Sequence, residues 1–206
     1  MKVAIFGATG RTGIELVKQA LDRGHLVTAF VRDPSPLADK GDGLTIMTGD
    51  IHDLTDVARC IEGQGAVLCA LGARDLNKSM IRTAGTFNII KAMKHNSVNR
   101  LLIVSAMGIG ESWNSLSLLN KLFIATLLRN ARADHEAQEA AVKASSLDWT
   151  IIRPSGLVDS PGTGVYNVGE NIRARTSRIA RADVADLILN ELEEGSLVHK
   201  AVTITN

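Results

Sequence analysis

Short apolar runs alternate along the chain with segments whose hydrophobic residues recur at helical spacing. Residues 2–6 (KVAIF), 26–31 (LVTAFV), 44–48 (LTIMT) and 66–71 (AVLCAL) read as strands. So do residues 100–106 (RLLIVSA), 148–154 (DWTIIRP) and 200–206 (KAVTITN). Runs apolar on both faces suit central strands of a parallel sheet covered on both sides by helices. Between them, TGIELVKQALDRG closes at Gly24, and ADVADLILNELEEG stops at Gly195; glycine is a frequent helix stop. KSMIRTAGTFNIIKAMKHN sets Ile81, Phe87, Ile90 and Met93 near one face. This alternation means βαβ units with right-handed crossovers. It predicts an α/β fold: a single Rossmann-type domain over residues 1–206, with a doubly wound parallel sheet and helices on both faces. No internal repeat, low-complexity tract or linker interrupts it.

Composition narrows the partners. The 206 residues carry a net charge of +1, with 45% hydrophobic and 22% charged residues, the balance of an ordinary globular domain. A nucleic-acid binder usually advertises a basic surplus, and 3% aromatics leave no platform for stacking bases. Cys60 and Cys69 fit no CxxC motif and read as buried thiols of a cytoplasmic protein. The N-terminal apolar run is too short for a signal peptide. The run at 116–128 is broken by Asn120 and Lys121, so no membrane span is expected.

The chemistry is concentrated in GATGRTG, residues 7–13, which follows the first strand and opens a helix. Without side chains at Gly7, Gly10 and Gly13 the turn is tight, a pyrophosphate can approach the backbone, and the helix packs closely on the strand. The helix N-terminus then offers N–H groups and partial positive charge. A bare strand-to-helix turn is the alternative, but the setting in an all-βαβ chain favours the nucleotide. In NAD sites an acidic residue about 20 positions on holds the ribose 2′-hydroxyl. Here the second strand ends in Arg32, with Asp33 behind it. A guanidinium matches a phosphate and stays charged, and Arg11 can reach the same place, so NADPH (NADP⁺) is expected, with Asp33 leaving some tolerance of NADH. Two solvated surface arginines are the plainer reading.

KVAIFGATGRTG, VRDP, GDI (49–51), IVSAMG (103–108), SSLDWTIIRPSGL (145–157) and IARADVADLIL (179–189) occur in the order found in atypical short-chain dehydrogenases/reductases. The chain resembles the NADPH-dependent flavin reductase/biliverdin-IXβ reductase group and, nearby, nitrogen-metabolite-repressor-like proteins. The resemblance implies that Gly7, Thr9, Gly10, Arg11 and Thr12 hold the pyrophosphate and adenosine end. Arg32 would take the 2′-phosphate, with Asp50 and Ile51 flanking the adenine. Leu71, Gly72 and Ala73 would lie under the ribose and nicotinamide, Ser105 beside the nicotinamide, and Pro154, Ser155, Gly156 and Leu157 around the carboxamide.

Two departures bear on mechanism. Classical members use Tyr-x-x-x-Lys to pass a proton to a carbonyl; those positions here hold Ala131 and His135, and the only tyrosine, Tyr166, lies elsewhere. Some bilin reductases carry a histidine in the segment matching RPSGL, where this chain has Ser155 or Gly156. The remaining catalytic candidates are Ser105 and His135. Against them, Ser105 at a strand end can simply satisfy backbone groups, and His135, with Glu139 one turn on, can be a solvated helix residue. His25, His52, His95 and His199 have no carboxylate or cysteine at ligand spacing, so no metal is expected.

The segment 111–132 precedes His135 and must pass the pocket mouth. Trp113, Leu116, Leu119 and Phe123 are candidates for a roof over a flat substrate, or else for helix core or a subunit contact. The substrate pocket is expected in the C-terminal part, about residues 105–180. The resulting expectation is a cytoplasmic NADPH-dependent reductase, monomeric or weakly dimeric, acting on a flavin, tetrapyrrole-like or quinone-like small molecule. The alternative is a non-catalytic NADP(H)-binding redox sensor.

Overall fold

The computed structural model describes residues 1–37, 41–72, 80–115, 126, 128–170, 172 and 178–206. The first half holds β1 (Lys2–Phe6), α1 (Arg11–Asp22), β2 (Leu26–Val31), β3 (Leu44–Thr48), α2 (Leu54–Ile61) and β4 (Ala66–Cys69). Next come α3 (Ile81–His95), β5 (Arg100–Val104), α4 (Arg129–Lys143) and β6 (Asp148–Pro154). The chain ends with β7 (Gly156–Val158), β8 (Asn167–Gly169), β9 (Arg178–Ala180), α5 (Arg181–Glu194) and β10 (Lys200–Thr205).

The main sheet runs β3-β2-β1-β4-β5-β6-β10-β8, parallel except where β8 pairs antiparallel with β10. Its first six strands have the order of a dinucleotide-binding sheet. β7 and β9 form a separate parallel pair. Successive strand residues point to opposite faces, and both faces are apolar. Val3 and Ile5 pack with Leu16, Val17 and Ala20 of α1 and Val184 and Ile188 of α5. Ala4 and Phe6 pack the other way, with Val57 and Ile61 of α2, Ile89 and Met93 of α3 and Val142 of α4. The doubly wound, single-domain α/β architecture follows from that two-sided burial.

Local chemistry sets the helix ends. Past α1, Gly24 takes a φ of +76° and donates its N–H to the Leu21 carbonyl, while His25 donates to that of Ala20. This is the paired closure that only a left-handed residue allows. The start of α3 has no side-chain cap of its own. Asp134 of α4 supplies one, accepting from the Arg82 N–H at 3.3 Å and the Thr83 N–H at 2.9 Å, and from the Thr83 hydroxyl at 2.7 Å. Satisfying those orphan donors from another helix fixes α3 against α4.

The strand expectations hold with two informative trims. β4 and β5 stop at Cys69 and Val104, so Leu71 and Ser105 leave the sheet at its carboxyl edge. Phe87 is a correction: it is half exposed, because the buried stripe of α3 runs through Gly85, Ile89 and Met93, four residues apart, which turns Phe87 to the opposite side. The short strands β7, β8 and β9 carry no recognisable period and were not expected.

The three glycines of the first turn differ. A Cβ on Gly7, whose φ is +77°, would lie 2.6 Å from the Ala70 carbonyl carbon and 2.9 Å from the Leu71 nitrogen. One on Gly13 would overlap the Gly7 carbonyl and come 2.8 Å from the Ala8 Cα. One on Gly10 would meet only the Gly7 oxygen, at 3.2 Å. Gly13→Ala is therefore expected to destabilise by about 3 kcal/mol or more, since backbone cannot yield as a core side chain can. Gly10→Ala should cost about 1 kcal/mol, the scale of a changed N-cap. Urea unfolding of both variants checks this; equal losses would contradict it.

Candidate functional site

The order in which strands are added to the sheet reverses between the parallel neighbours β1 and β4, and a cavity of about 550 Å³ opens there. In open α/β sheets ligands bind at this crevice, outside the carboxyl ends of the strands. Of the residues expected to hold a nucleotide, Gly7, Thr9, Gly10, Arg11, Thr12, Arg32, Ile51, Leu71 and Gly72 line it. Asp50, Ser105, Pro154, Ser155, Gly156 and Leu157 do not border this cavity. Ala73 lies outside the described residues. Asp50 is exposed and accepts from the His52 N–H at 2.9 Å, closing its own turn. Asp33, the residue that leaves NADH open, accepts from the Ser35 N–H and hydroxyl at 3.0 and 2.6 Å.

Phe30, Val31, Ala70, Ile81 and Arg181 complete the lining. Arg181 begins α5, 149 residues after Arg32, and no local pattern marks it. Arg11 does not turn toward Arg32. Its guanidinium lies 2.6 Å from Asp159, which also holds Arg181 at 2.5 Å. Asp159 thus pairs with two of the three arginines that border the cavity and offsets one of their two charges. Arg11 and Arg181 also border a neighbouring open cleft of about 650 Å³, with Asp159 on its wall.

The glycine turn fits a dinucleotide. Gly10 is exposed and has room on its outer side, whereas Gly7 and Gly13 are packed against backbone. The phosphate approach is therefore left open at the N-terminus of α1, where free N–H groups and the helix dipole favour an anion. Gly7, Gly10 and Thr12 would hold the pyrophosphate, Arg32 a 2′-phosphate, and Leu71 and Gly72 the nicotinamide ribose.

Beside that end, Ser105 is buried and donates its hydroxyl proton to Glu139 at 2.7 Å. His135 Nδ1 lies 3.4 Å from the same oxygen. His135, a catalytic candidate whose alternative was a solvated helix position, is therefore brought up against Ser105. Glu139 in turn accepts from Arg153 Nε at 2.9 Å and Nη2 at 2.6 Å. Both are nearly inaccessible, with side chains 4% and 1% exposed. Arg153 also reaches Glu111 at 2.8 Å, and Lys143 joins Glu111 at 3.1 Å. Gly110 makes this possible, since a Cβ there would stand 2.6 Å from Arg153 Nη2.

These contacts set the ionisation of the site. Burial, assisted by the charge of Arg82, pushes His135 down to about 3 against the opposing pull of Asp134 and Gln138. It is neutral at physiological pH. The Arg153 hydrogen bond draws the Glu111 carboxyl down to about 2. Burial and the bond to Asp186 at 2.7 Å push the Tyr166 phenol up, so Tyr166 locks its loop to α5. Burial pushes the free thiols of Cys60 and Cys69 to about 12 and about 11, leaving them inert.

Trp113 is half-buried, with the Arg132 guanidinium 3.9 Å from its ring centre. Leu116, Leu119 and Phe123 lie outside the described residues. Ser155 is buried, and its hydroxyl has no hydrogen-bond partner among the described residues.

A glycine turn and cavity at the switch point of such a sheet define a dinucleotide-binding Rossmann protein. The chain belongs to the NAD(P)H-binding family, whose pattern matches residues 7–195. It is 31% identical to the Bacillus subtilis protein YwnB, which is uncharacterised, over 100% of this chain and 99% of that one. Among solved structures it is similar to ChuY, an anaerobilin reductase from Escherichia coli O157:H7, at 25% identity and a TM-score of 0.82, covering 100% and 97% of the two chains. A short-chain dehydrogenase/reductase from Veillonella parvula, solved with NADP, shares the fold at 17% identity and a TM-score of 0.86, over 100% and 94%. Among the described residues no helix is long and apolar enough to cross a membrane.

Glu111 makes a testable contribution to stability. Its carboxyl falls from an ordinary 4.5 to about 2 on folding. The unfolded chain thus binds the proton more readily, and the stabilisation present above pH ~4.5 is lost as pH falls toward ~2. Because Glu111 is largely exposed, solvent screens the effect. Glu111→Gln should flatten the fall of Tm over that window relative to the parent protein; parallel curves would contradict it.

Proposed function

We propose that the protein is an NADPH-dependent reductase that delivers hydride to a flat conjugated acceptor of the flavin, tetrapyrrole or quinone kind. The observation that carries this reading is the switch-point cavity, which joins an open glycine turn to Arg11, Arg32 and Arg181. Three guanidiniums suit a cofactor with a third phosphate. Asp33, the residue that would otherwise favour a 2′-hydroxyl, has one carboxylate oxygen engaged by Ser35.

Bound nicotinamide cofactor supplies the two electrons as hydride. The chain's residues bind and orient. Gly10 and Thr12 admit the phosphates to the head of α1, Leu71 and Gly72 support the sugar beyond them, and Ser105 orients the reacting edge or a water. No phenol stands at Ala131, and His135 is held neutral. An acceptor that takes hydride into a conjugated system, with its proton drawn from water, suits such a site better than a ketone does. The anaerobilin reductase among the similar structures supports a tetrapyrrole-like acceptor. We further propose that the protein is cytoplasmic and works as a monomer or weak dimer.

The missing acid also favours a second reading, an NADP(H)-binding sensor without turnover. Assay of NADPH oxidation against free flavins, bilins and quinones separates the two. Turnover with one acceptor class supports the reductase; tight NADPH binding with every acceptor inert supports the sensor.

Two substitutions test cofactor choice. Arg32→Ala should weaken NADPH by about 1.5–3 kcal/mol, roughly tenfold to 150-fold, and spare NADH. Equal affinity of the parent protein for NADPH and NADH would overturn the preference. Asp159→Asn should release Arg11 and Arg181 and tighten NADPH by up to about fivefold at low salt, with the gain fading at high salt. Weaker binding would instead make Asp159 part of the cofactor's grip. Fluorescence titration reads both.

A further inference from the structure

We propose that Glu139 acts through Ser105 as a positioning residue that fixes His135 in its Nδ1–H tautomer, making Nε2 a hydrogen-bond acceptor for a donor-bearing ligand. A serine hydroxyl has one proton to give and lone pairs to receive with. That proton is committed at 2.7 Å to a carboxylate, a charge-assisted bond stronger than any a neutral imidazole nitrogen offers. At 3.4 Å the remaining Ser105–His135 contact closes only if Nδ1 carries the hydrogen and the serine oxygen accepts.

Glu139 cannot turn the relay round. Arg153 takes Oε1 and Oε2 at 2.9 and 2.6 Å, so the carboxylate is ionised and has no proton to return. Of the other groups around the ring, Arg82 of α3 disfavours a second proton on the imidazole, Asp134 of α4 favours one but is itself occupied by Arg82 and Thr83, and the uncharged Gln138 amide, hydrogen-bonded to the ring, favours a ring N–H. The ring therefore stays singly protonated, and which nitrogen holds the hydrogen is decided by its neighbour.

The consequence is a polarity opposite to that of the lysine it replaces. An ammonium only donates; Nε2 of this histidine only accepts. A ligand meeting it must bring a hydrogen: a sugar hydroxyl, a ring N–H or a water. Tetrapyrroles and flavins carry such N–H groups, which ties the feature to the acceptor class proposed above. The tautomer itself needs no cofactor or acceptor, so the two readings fail separately.

The test is a long-range ¹H–¹⁵N correlation spectrum of the histidine side chains in the cofactor-free protein, with His135 identified by its loss in His135→Gln. The expected pattern is a protonated Nδ1 and a bare Nε2, unchanged from pH ~8 to ~5. Ser105→Thr keeps the hydroxyl and should keep that pattern. Ser105→Ala cuts the relay and should give Nε2–H or an averaged signal. Glu139→Gln should do the same where it folds. A parent spectrum showing Nε2–H overturns the proposal. So does an unchanged pattern in Ser105→Ala, or a loss in Ser105→Thr equal to that in Ser105→Ala. Retention of Nδ1–H in folded Glu139→Gln removes Glu139 from the relay.

Discussion

The site depends on the contact between the Gly7 carbonyl and the start of α1. Because Gly13 has no side chain, the helix comes down onto β1 with only backbone between them. That approach aims the first turn of α1 along the carboxyl edge of the sheet and leaves Gly10 facing outward. Gly7 does the equivalent on the other side, where its φ of +77° lets the loop pass against Ala70 and Leu71. The glycines at the two ends of the turn are thus demanded by packing, while the middle one is left open to the outside.

A second constraint organises the C-terminal half. Arg153 is a full guanidinium in the interior, and leaving one partner of such a pair unmatched typically costs about 3–5 kcal/mol. Glu139 and Glu111 therefore belong where they are for stability alone. The same carboxylate reaches Ser105, so the charge that keeps β6 tied to α4 also determines how the serine points its proton. Stability and chemistry share one group here, and a substitution at Glu139 cannot separate them; substitutions at Ser105 can.

The sheet was largely legible because its central strands β1, β4, β5 and β6 are buried on both faces, so each is a plain apolar run. The glycine turn and Arg32 were legible from spacing along fewer than thirty residues. What stayed hidden joins residues distant in sequence. The capping of α3 by Asp134 spans about fifty positions, and Asp159 meets Arg11 across 148. Arg153 lies within a recognisable strand, yet nothing local says that its guanidinium turns inward. Phe87 was misplaced for a different reason: α3 buries glycine, threonine and alanine on its inner side, so its largest apolar residue does not mark that face.

Arg11 shows why an arginine belongs in the turn. Far from the interior, its pair with Asp159 is exposed and screened, and such pairs contribute little to folding. A weak pair is also easily exchanged. On the proposed reading, an incoming phosphate would meet a guanidinium already held at the cavity's border by a carboxylate that it could replace at small cost. Arg181, more buried and tied to the same carboxylate, sits at the head of α5. The positive charge at the cavity's border is thus built from both ends of the chain, with Asp159 offsetting part of it.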